Sequence, residues 1–300
     1  MNIFRKSVMK DWELKKLFLK SQFDQRRYLL EQNILFSNQK GINDSSYCDH
    51  QIIVSLTTYG KRIYDVHLTI ESIMEQTILP NKIVLWLDYS FENKDLPKAL
   101  LLLQKRGLEI RYCKDIRSYK KLIPALIAYP NDAIITIDDD VIYEFDFLER
   151  MITEYLRDPS YIYCHRYHRM KFDKKGNLLP YCKWDRVSDD LTPSILNFPT
   201  GVGGVLYPPH LLDEEVLNES VYMSICQYAD DVWFKAMSLK NSVKIKKVFS
   251  HNKYSEDFIL NPNVQDISLQ NINVDNGMND KQIKAVFTRY NLYPLLNKLK

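Results

Sequence analysis

Residues 133–140 read AIITIDDD, an apolar run followed directly by three aspartates. A short apolar run of this kind is typical of a buried strand. Adjacent carboxylates repel one another, so a protein that holds them together usually supplies a cation or strong hydrogen-bond donors. In open α/β sheets, ligands bind beyond the carboxyl ends of the strands. This stretch therefore predicts a buried strand that carries an acidic ligand site at its end.

Three strand–helix units precede this stretch. Repetition of this β-α-β kind predicts a mostly parallel, Rossmann-like central sheet flanked by helices, and so an α/β fold class. Pro80 and Gly107 mark the expected ends of the first two helices. The predicted strands span 52–56, 82–87, 109–112 and 133–137, and the predicted helices span 66–78, 97–106 and 119–129.

The two ends of the chain differ from this α/β region. Apolar residues recur near helical period over residues 1–36 and predict a long helix, followed by a polar linker. Residues 281–300 mix apolar side chains with five cations, a pattern typical either of an interfacial segment on anionic lipid or of a helix packed on the main domain. We therefore expect a helical extension at 1–48, an α/β domain at 49–258, and a loop with a basic amphipathic segment at 259–300.

Two further motifs follow the aspartates. Residues 199–209 read PTGVGGVLYPP, which holds three of the eight glycines but matches neither a dinucleotide fingerprint nor a Walker loop. Residues 229–234 read ADDVWF and place two acids at the start of a predicted helix. Acids are favoured there by capping and by the helix dipole, so a purely structural role is also open.

Composition excludes several classes of protein. A net charge of +3 is too small to argue for a nucleic-acid partner. Five cysteines, widely spaced and without a CxxC pair, argue against a disulfide framework or a structural zinc site. No apolar run approaches the ~18 residues that span a membrane. We expect a cytoplasmic protein whose basic ends could hold it on the inner face of the membrane.

The motifs together resemble a known family. VSLTTYGKR (54–62), IVLWL (83–87), ITIDDDVIY (135–143) and ADDVWF (229–234) are similar to GT-A glycosyltransferases, above all to bacterial family-2-like enzymes that build surface polysaccharides. The resemblance covers roughly residues 50–255. It implies a GT-A fold and Mn²⁺- or Mg²⁺-dependent, inverting transfer of a sugar from a nucleotide-sugar donor, a UDP-sugar by family expectation, to a glycan or lipid-linked acceptor.

The resemblance also implies roles for the acids. Asp140 would bind the metal that bridges the diphosphate, with Asp138 and His251 as further ligands. Asp138 would in addition approach the ribose or base, and Asp139 could take either role. A carboxylate must accept the proton of the acceptor hydroxyl in an inverting transfer. In the family an acidic pair supplies it, which here is Asp231 or Asp230.

Donor contacts are implied as well. The loop after the first strand and the basic pair at 120–121 would lie beside the nucleotide, and the glycine loop would contact the donor sugar or the acceptor. Each of these residues also has an ordinary explanation as a turn or surface residue. The implied donor-binding residues are Thr57, Tyr59, Arg62, Lys120, Lys121, Asp138, Asp139, Gly203 and Gly204.

Two other classes of function remain open. A haloacid-dehalogenase-like phosphohydrolase also places Asp-x-Asp after an apolar strand, but normally after its first strand, and no Gly-Asp-x-x-x-Asp occurs at the second acidic site. A non-catalytic carbohydrate-binding module could hold Ca²⁺ at the aspartates, although the chain contains no EF-hand loop. The Asn-rich segment 271–279 reads as a loop that could cover the site.

Overall fold

A seven-stranded sheet forms the centre of the protein in the computed structural model, which describes residues 2–252, 257–264 and 277–297. The strands within this described part are β1 (Ile52–Thr57), β2 (Lys82–Asp88), β3 (Leu108–Cys113), β4 (Ala133–Thr136), β5 (Val141–Tyr143), β6 (Ile162–Cys164), β7 (Tyr167–Arg169), β8 (Asn197–Pro199), β9 (Val205–Tyr207), β10 (Ile245–Lys247) and β11 (Phe258–Leu260).

Helices cover both faces of the sheet. Those assigned in the described residues are α1 (Asn2–Phe36), α2 (Val66–Met74), α3 (Lys98–Gln104), α4 (Ile123–Ala128), α5 (Phe147–Arg157), α6 (Glu219–Ile225), α7 (Asp230–Lys240), α8 (Met278–Arg289) and α9 (Tyr293–Asn297). None of them is both long and apolar enough to cross a membrane.

The strand order of the central sheet is β10-β6-β9-β4-β1-β2-β3. Neighbouring strands are parallel except that β9 runs antiparallel to β4 and β6. The predicted α/β class with a mostly parallel, Rossmann-like sheet is confirmed. Two small antiparallel pairs, β5 with β11 and β7 with β8, lie outside this sheet.

Side-chain alternation along the central strands builds a separate apolar core on each face of the sheet. Ile53 and Ile134 belong to the core shared with α4 and α7. Val54 and Ile135 belong to the core shared with α2, α3 and α5. Each buried aliphatic side chain contributes about 1.5–3 kcal/mol through removal from water. Burial on both faces explains why these strands read as continuous apolar runs.

The predicted helix at 119–129 is divided into two pieces. A 3₁₀ helix covers Arg117–Lys121, and α4 begins at Ile123 with Pro124 in its first turn. Proline is tolerated there because the amide hydrogen that it lacks would have no partner within the helix. The division places the buried side chains of Lys120 and Lys121 in a turn beside the sheet.

Both ends of the chain pack on the α/β region. Phe23 and Leu30 of α1 are buried against Leu68 of α2 and Ile142 of β5. At the other end of the chain, the apolar residues of α8 and α9 lie in the main core. Their apolar face is therefore not available to lipid. The structure supports the alternative that this segment packs on the main domain. Residues 271–276 of the Asn-rich segment and 298–300 of the basic segment lie outside the described residues. The prediction of a loop through residue 279 is wrong at Met278 and Asn279, which begin α8. The core positions of α8 and α9 are Ile283, Val286, Phe287 and Leu296.

Lys235 of α7 is a buried lysine that is expected to lower the stability of the fold. It is 1% exposed, and its Nζ has no hydrogen-bond partner in the described part of the chain. Burial lowers the pKa of Lys235 to about 7. Below that pH the folded protein carries a buried ammonium, whereas between pH 7 and the usual lysine pKa the unfolded chain binds more protons. Stability should therefore rise with pH across this window.

A Lys235→Met variant is expected to raise the free energy of unfolding by on the order of 3 kcal/mol at pH 6, because it removes a charge that has no partner. Urea unfolding at pH 6 and pH 9 would measure this gain, which should be smaller at the higher pH. Lys244→Met is the matched control, since Lys244 is an exposed lysine nearby. An unchanged stability at pH 6 would contradict the assignment of a buried charge.

Candidate functional site

Lys121 joins the two acidic motifs at the carboxyl end of β4. Its Nζ lies 3.0 Å from Asp138 Oδ1 and 3.0 Å from Asp230 Oδ2. Asp138 follows β4, whereas Asp230 begins α7, so the sheet brings together residues that are far apart in sequence. Although burial alone lowers it, the charges of Asp138, Asp230 and Asp231 raise the pKa of Lys121 well above its usual value. We call Lys121, Asp138, Asp230 and Asp231 the lysine–carboxylate cluster.

Gly201 borders this cluster. Its backbone N–H donates to Asp231 Oδ2 at 3.0 Å. A Cβ atom at Gly201 would lie 2.6 Å from Lys121 Nζ and 3.3 Å from Oδ1 of both Asp138 and Asp231. The cluster therefore closes around a position that only glycine fills without displacement. The sequence pattern indicates the wider glycine loop but does not distinguish Gly201 from its neighbours.

Gly203 and Gly204 are explained by packing. A Cβ at Gly203 would lie 2.5 Å from Arg166 Cβ, and one at Gly204 would lie 2.5 Å from the ring of Phe147. Gly204 also has a φ of 75°, in the left-handed region that favours glycine. Their surroundings thus account for both residues without the sugar contact that the resemblance implied.

Asp230 and Asp231 have different environments. Asp230 is buried, its Oδ1 accepts from Ser118 Oγ at 2.9 Å, and its Oδ2 lies beside Lys121 without a well-directed hydrogen bond. Asp231 is half-buried and is held by Gly201 through Oδ2. Burial, together with the neighbouring charge of Asp230, raises the pKa of Asp231 to about 7. Asp231 is the more exposed of the pair, and its raised pKa suits it to accept a proton near neutral pH.

Asp139 and Asp140 are tied to Arg62. The guanidinium donates from Nη1 to Asp139 Oδ1 at 2.7 Å, and its Nη2 lies 3.2 Å from Asp140 Oδ2. The second oxygen of Asp139 accepts from Thr58 Oγ1 at 2.6 Å. Both oxygens of Asp139 are thus occupied inside the protein, which marks this residue as an anchor of the aspartate loop.

Thr58, and not Thr57, faces the aspartates. Successive side chains at the end of a strand point in opposite directions. Thr57 Oγ1 accordingly donates to Trp86 O on β2 at 2.8 Å. The register of β1 with β2 and β4 determines which threonine reaches the site, and sequence analysis had no signal for it.

Tyr143 links the aspartate loop to the glycine loop. The backbone N–H of Asp138 donates to Tyr143 Oη at 3.1 Å, and this hydroxyl lies 3.3 Å from the carbonyl oxygen of Val202, to which it donates. Tyr143 is buried, and burial raises the pKa of its hydroxyl, so it stays protonated. This bridge, which sequence analysis missed, fixes the position of Asp138 relative to the glycine loop.

Two further residues were predicted to bind the donor. Lys120 lies near the ends of β2 and β3, and Tyr59 lies at the protein surface. Lys120 is buried, and its Nζ lies 2.9 Å from Asp115 Oδ1 and 3.4 Å from Asp88 Oδ2. Tyr59 is exposed, with the Arg62 guanidinium 5.3 Å from the centre of its ring. Lys120 therefore belongs to a second ionic group next to the lysine–carboxylate cluster.

His251 lies apart from the aspartates that it was expected to join. Its Nε2 is 2.6 Å from Asp146 Oδ2, and its backbone N–H donates to Asp257, which is paired with Arg150. Over the described ranges, the aspartates form no group of three histidine, cysteine or carboxylate ligand atoms within 4.8 Å. The expected histidine ligand is therefore not at the site, because Asp146 and Asp257 hold this segment elsewhere.

The carboxylates themselves suit a hard divalent cation. Mg²⁺ and Mn²⁺ prefer oxygen ligands, and Mg²⁺ is commonly held by one or two carboxylates together with water and substrate phosphates. The Asp138 side chain is 29% exposed, and Asp140 lies on the same loop. Asp138 and Asp140 carry ligand atoms of this kind, although one oxygen of each lies beside a cation, Lys121 for Asp138 and Arg62 for Asp140.

A second group of potential metal ligands lies before β1. Cys48, Asp49 and His50 place one ligand atom each within 4.8 Å. The two nitrogens of His50 are occupied, Nδ1 by Asp49 at 2.7 Å and Nε2 by the Tyr155 hydroxyl at 2.6 Å. These contacts explain the orientation of His50 without an ion.

Comparison with known proteins does not identify a function for the chain. No family model and no curated protein matches the chain. Among solved structures, the inositol-1-phosphate CTP transferase from T. maritima is similar at 12% sequence identity, over 70% of this chain and 86% of that one, with a TM-score of 0.39.

Proposed function

We propose that this protein is a metal-dependent glycosyltransferase of the GT-A type. It transfers a sugar from a nucleotide-sugar, taken here as a UDP-sugar, to a glycan or lipid-linked acceptor in bacterial surface polysaccharide synthesis. The observation that carries this proposal is the convergence of Asp138 and Asp230 on Lys121 at the carboxyl end of β4, with Asp231 held beside them by Gly201. It supports one catalytic centre built from both acidic motifs.

Donor binding is assigned to the aspartate loop. Asp138 and Asp140 would hold Mn²⁺ or Mg²⁺, which when bound neutralises charge on the departing nucleoside diphosphate. Arg62 holds Asp139 and Asp140 in place, and Tyr143 holds the backbone of Asp138. These contacts preorganise the loop before a donor arrives, which reduces the reorganisation needed during the reaction.

Proton transfer is assigned to Asp231. The acceptor oxygen forms a bond to the anomeric carbon while its hydroxyl proton passes to Asp231 Oδ1, and the bond from that carbon to the diphosphate oxygen breaks with its electron pair. Gly201 N–H keeps Oδ2 occupied, so Oδ1 is the oxygen for the proton. A single displacement of this kind inverts the anomeric centre.

Calorimetric titration with UDP, GDP and CMP, each with Mn²⁺ and with a chelator, tests the proposal. We expect Mn²⁺-dependent binding of one nucleotide, weakened at least about tenfold in Asp140→Ala through loss of a metal ligand. Asp95→Asn, at an exposed aspartate, is the matched control and should bind normally. Absence of binding under every condition, an unimpaired Asp140→Ala, or phosphate release from simple phosphoesters would contradict it.

A further inference from the structure

Helix α1 has two apolar faces on opposite sides. Phe23, Leu30 and Ile34 are buried against the rest of the protein. At about 3.6 residues per turn these three share one side, and a second apolar set lies on the other. Its seven side chains are between 54% and 75% exposed. We call this set the outer stripe; it consists of Leu14, Leu17, Phe18, Tyr28, Leu29, Leu35 and Phe36.

The first part of the stripe extends beyond the body of the protein. All of residues 13–22 are exposed, and burial begins at Phe23. The helix has no neighbour along residues 13–22 in the described part of the protein, so solvent surrounds the apolar side chains of Leu14, Leu17 and Phe18. Large apolar side chains that are clustered on one exposed face mark an interaction surface, unlike apolar residues scattered singly.

Four residues of the stripe, Leu14, Phe18, Tyr28 and Leu35, fall on the positions of a helix-pairing seam. Positions 14, 18, 21, 25, 28, 32 and 35 are separated alternately by four and three residues. A sustained pattern of this kind is typical of two helices packed along their length. Ser21, Gln25 and Gln32 interrupt the seam with uncharged polar groups, which can hydrogen-bond across a helix pair but would lose their partners in lipid hydrocarbon.

The size of the stripe matches a specific protein interface. The exposed parts of its seven side chains amount to roughly 800 Å² on one copy, since an aromatic side chain alone can bury 150–250 Å². Complete burial of both stripes would remove at most about 1,600 Å² from water, the area of a standard specific interface.

Charge and shape favour an antiparallel pair centred on Gln25. In that arrangement the projecting end of one helix, with Leu14 and Phe18, covers the end of the other helix that carries Leu35 and Phe36. The same arrangement places Lys20 of one copy near Glu31 of the other. Both side chains are solvent-exposed, at 59% and 36%, and each also pairs within its own helix, Lys20 with Asp24 and Glu31 with Arg27. Opposite charges at the edge of an interface favour one register and orientation.

We propose that the protein forms a homodimer through antiparallel pairing of the outer stripes of two α1 helices. Sedimentation equilibrium of the full chain should show a dimer at low micromolar concentration. A Phe18→Lys/Leu35→Lys double variant should dissociate at least about tenfold more readily, because two buried apolar contacts become charged. Ile127→Lys is the matched control, since Ile127 is 63% exposed on α4, away from the stripe. A monomeric wild type, or equal dimerisation by the double variant, would overturn the proposal.

Cysteine cross-linking tests the orientation in a Cys182→Ser background, which removes an exposed native thiol. A mixture of Leu14→Cys and Phe36→Cys chains should form mixed disulfides, whereas Leu14→Cys alone should not. Efficient cross-linking of Leu14→Cys alone would overturn the antiparallel orientation. Cosedimentation of monomers with phosphatidylglycerol vesicles, lost in the Phe18→Lys/Leu35→Lys variant, would reassign the stripe to lipid. Unchanged circular dichroism of the variants would show that their fold is intact.

Discussion

An Asp231→Asn variant is expected to lose about 10³-fold in kcat/KM for sugar transfer while its affinity for the nucleoside diphosphate changes little. The amide keeps the shape of the carboxyl group and can still accept the Gly201 N–H, but it cannot take the acceptor proton. Initial rates, measured with the sugar donor of whichever nucleotide binds in calorimetry, provide the test. Full activity in this variant would remove Asp231 from the role of base.

The pH profile separates Asp231 from a merely structural residue. Burial and the charge of Asp230 raise the pKa of Asp231 to about 7, and only the deprotonated form is a base. Transfer by the wild type should therefore rise with pH, by about tenfold per unit below pH 7. Asp230→Asn removes a negative charge next to Asp231, which should lower the pKa of Asp231 and shift the rising limb of the pH profile to lower pH. An unshifted limb would show that another group controls the rate.

Gly201→Ala is expected to reduce sugar transfer by about 10²-fold. The backbone at Gly201 does not have a positive φ, so alanine is allowed there, but its Cβ would lie 2.6 Å from Lys121 Nζ. Lys121 would have to move, and Asp138 and Asp231 with it, and a displacement near 1 Å in an active site can cost about 10²-fold in rate. Steady-state kinetics with saturating donor would measure the loss.

Gly277→Ala is the control for this substitution. Gly277 has a φ of 64° with open space around its Cβ position, so alanine there should lower stability by about 1 kcal/mol and leave transfer intact. Comparison of the two variants separates a steric effect at the lysine–carboxylate cluster from a general effect on the fold. Equal loss of activity in both would contradict the special position of Gly201.

The proposed dimer and the proposed enzyme can fail independently. The outer stripe lies on the face of α1 opposite Phe23 and Leu30, and none of its residues belongs to the lysine–carboxylate cluster. Variants of Phe18 and Leu35 that dissociate the dimer should therefore leave nucleotide binding measurable on the monomer.

The local sequence pattern was sufficient to predict the first four strands and the position of the acids that follow β4. The runs at 52–56, 82–87 and 133–137 are apolar because β1, β2 and β4 are buried on both faces, so composition alone identifies them. The run at 109–112 alternates acidic or basic with apolar residues, as expected of β3, a half-exposed strand at the edge of the sheet. The same runs indicate a parallel sheet, whose carboxyl ends lie at one edge. The acids after β4 could therefore be assigned to a site from the sequence.

Selection among neighbouring residues depended on long-range contacts. Thr57 and Thr58 are equivalent in a sequence pattern, and only the pairing of β1 determines that Thr58 meets Asp139, 81 positions away. His251 has the chemistry of a metal ligand, but Asp146 and Asp257 hold it elsewhere. These outcomes are set by backbone direction and by competing partners, neither of which is encoded in local spacing.

The sequence by itself determined the α/β class, the acidic loop at the end of β4 and the acidic start of α7, because burial period and helix-terminal charge are local properties. Only the tertiary structure decided that Lys121 joins Asp138 to Asp230, that Gly201 is the glycine beside them, and that Asp231 is the more accessible acid. It also decided that the apolar face of α8 is buried in the core, whereas one apolar face of α1 is exposed to solvent. Both helices have apolar faces in the sequence, and only packing between distant segments determines which face meets water.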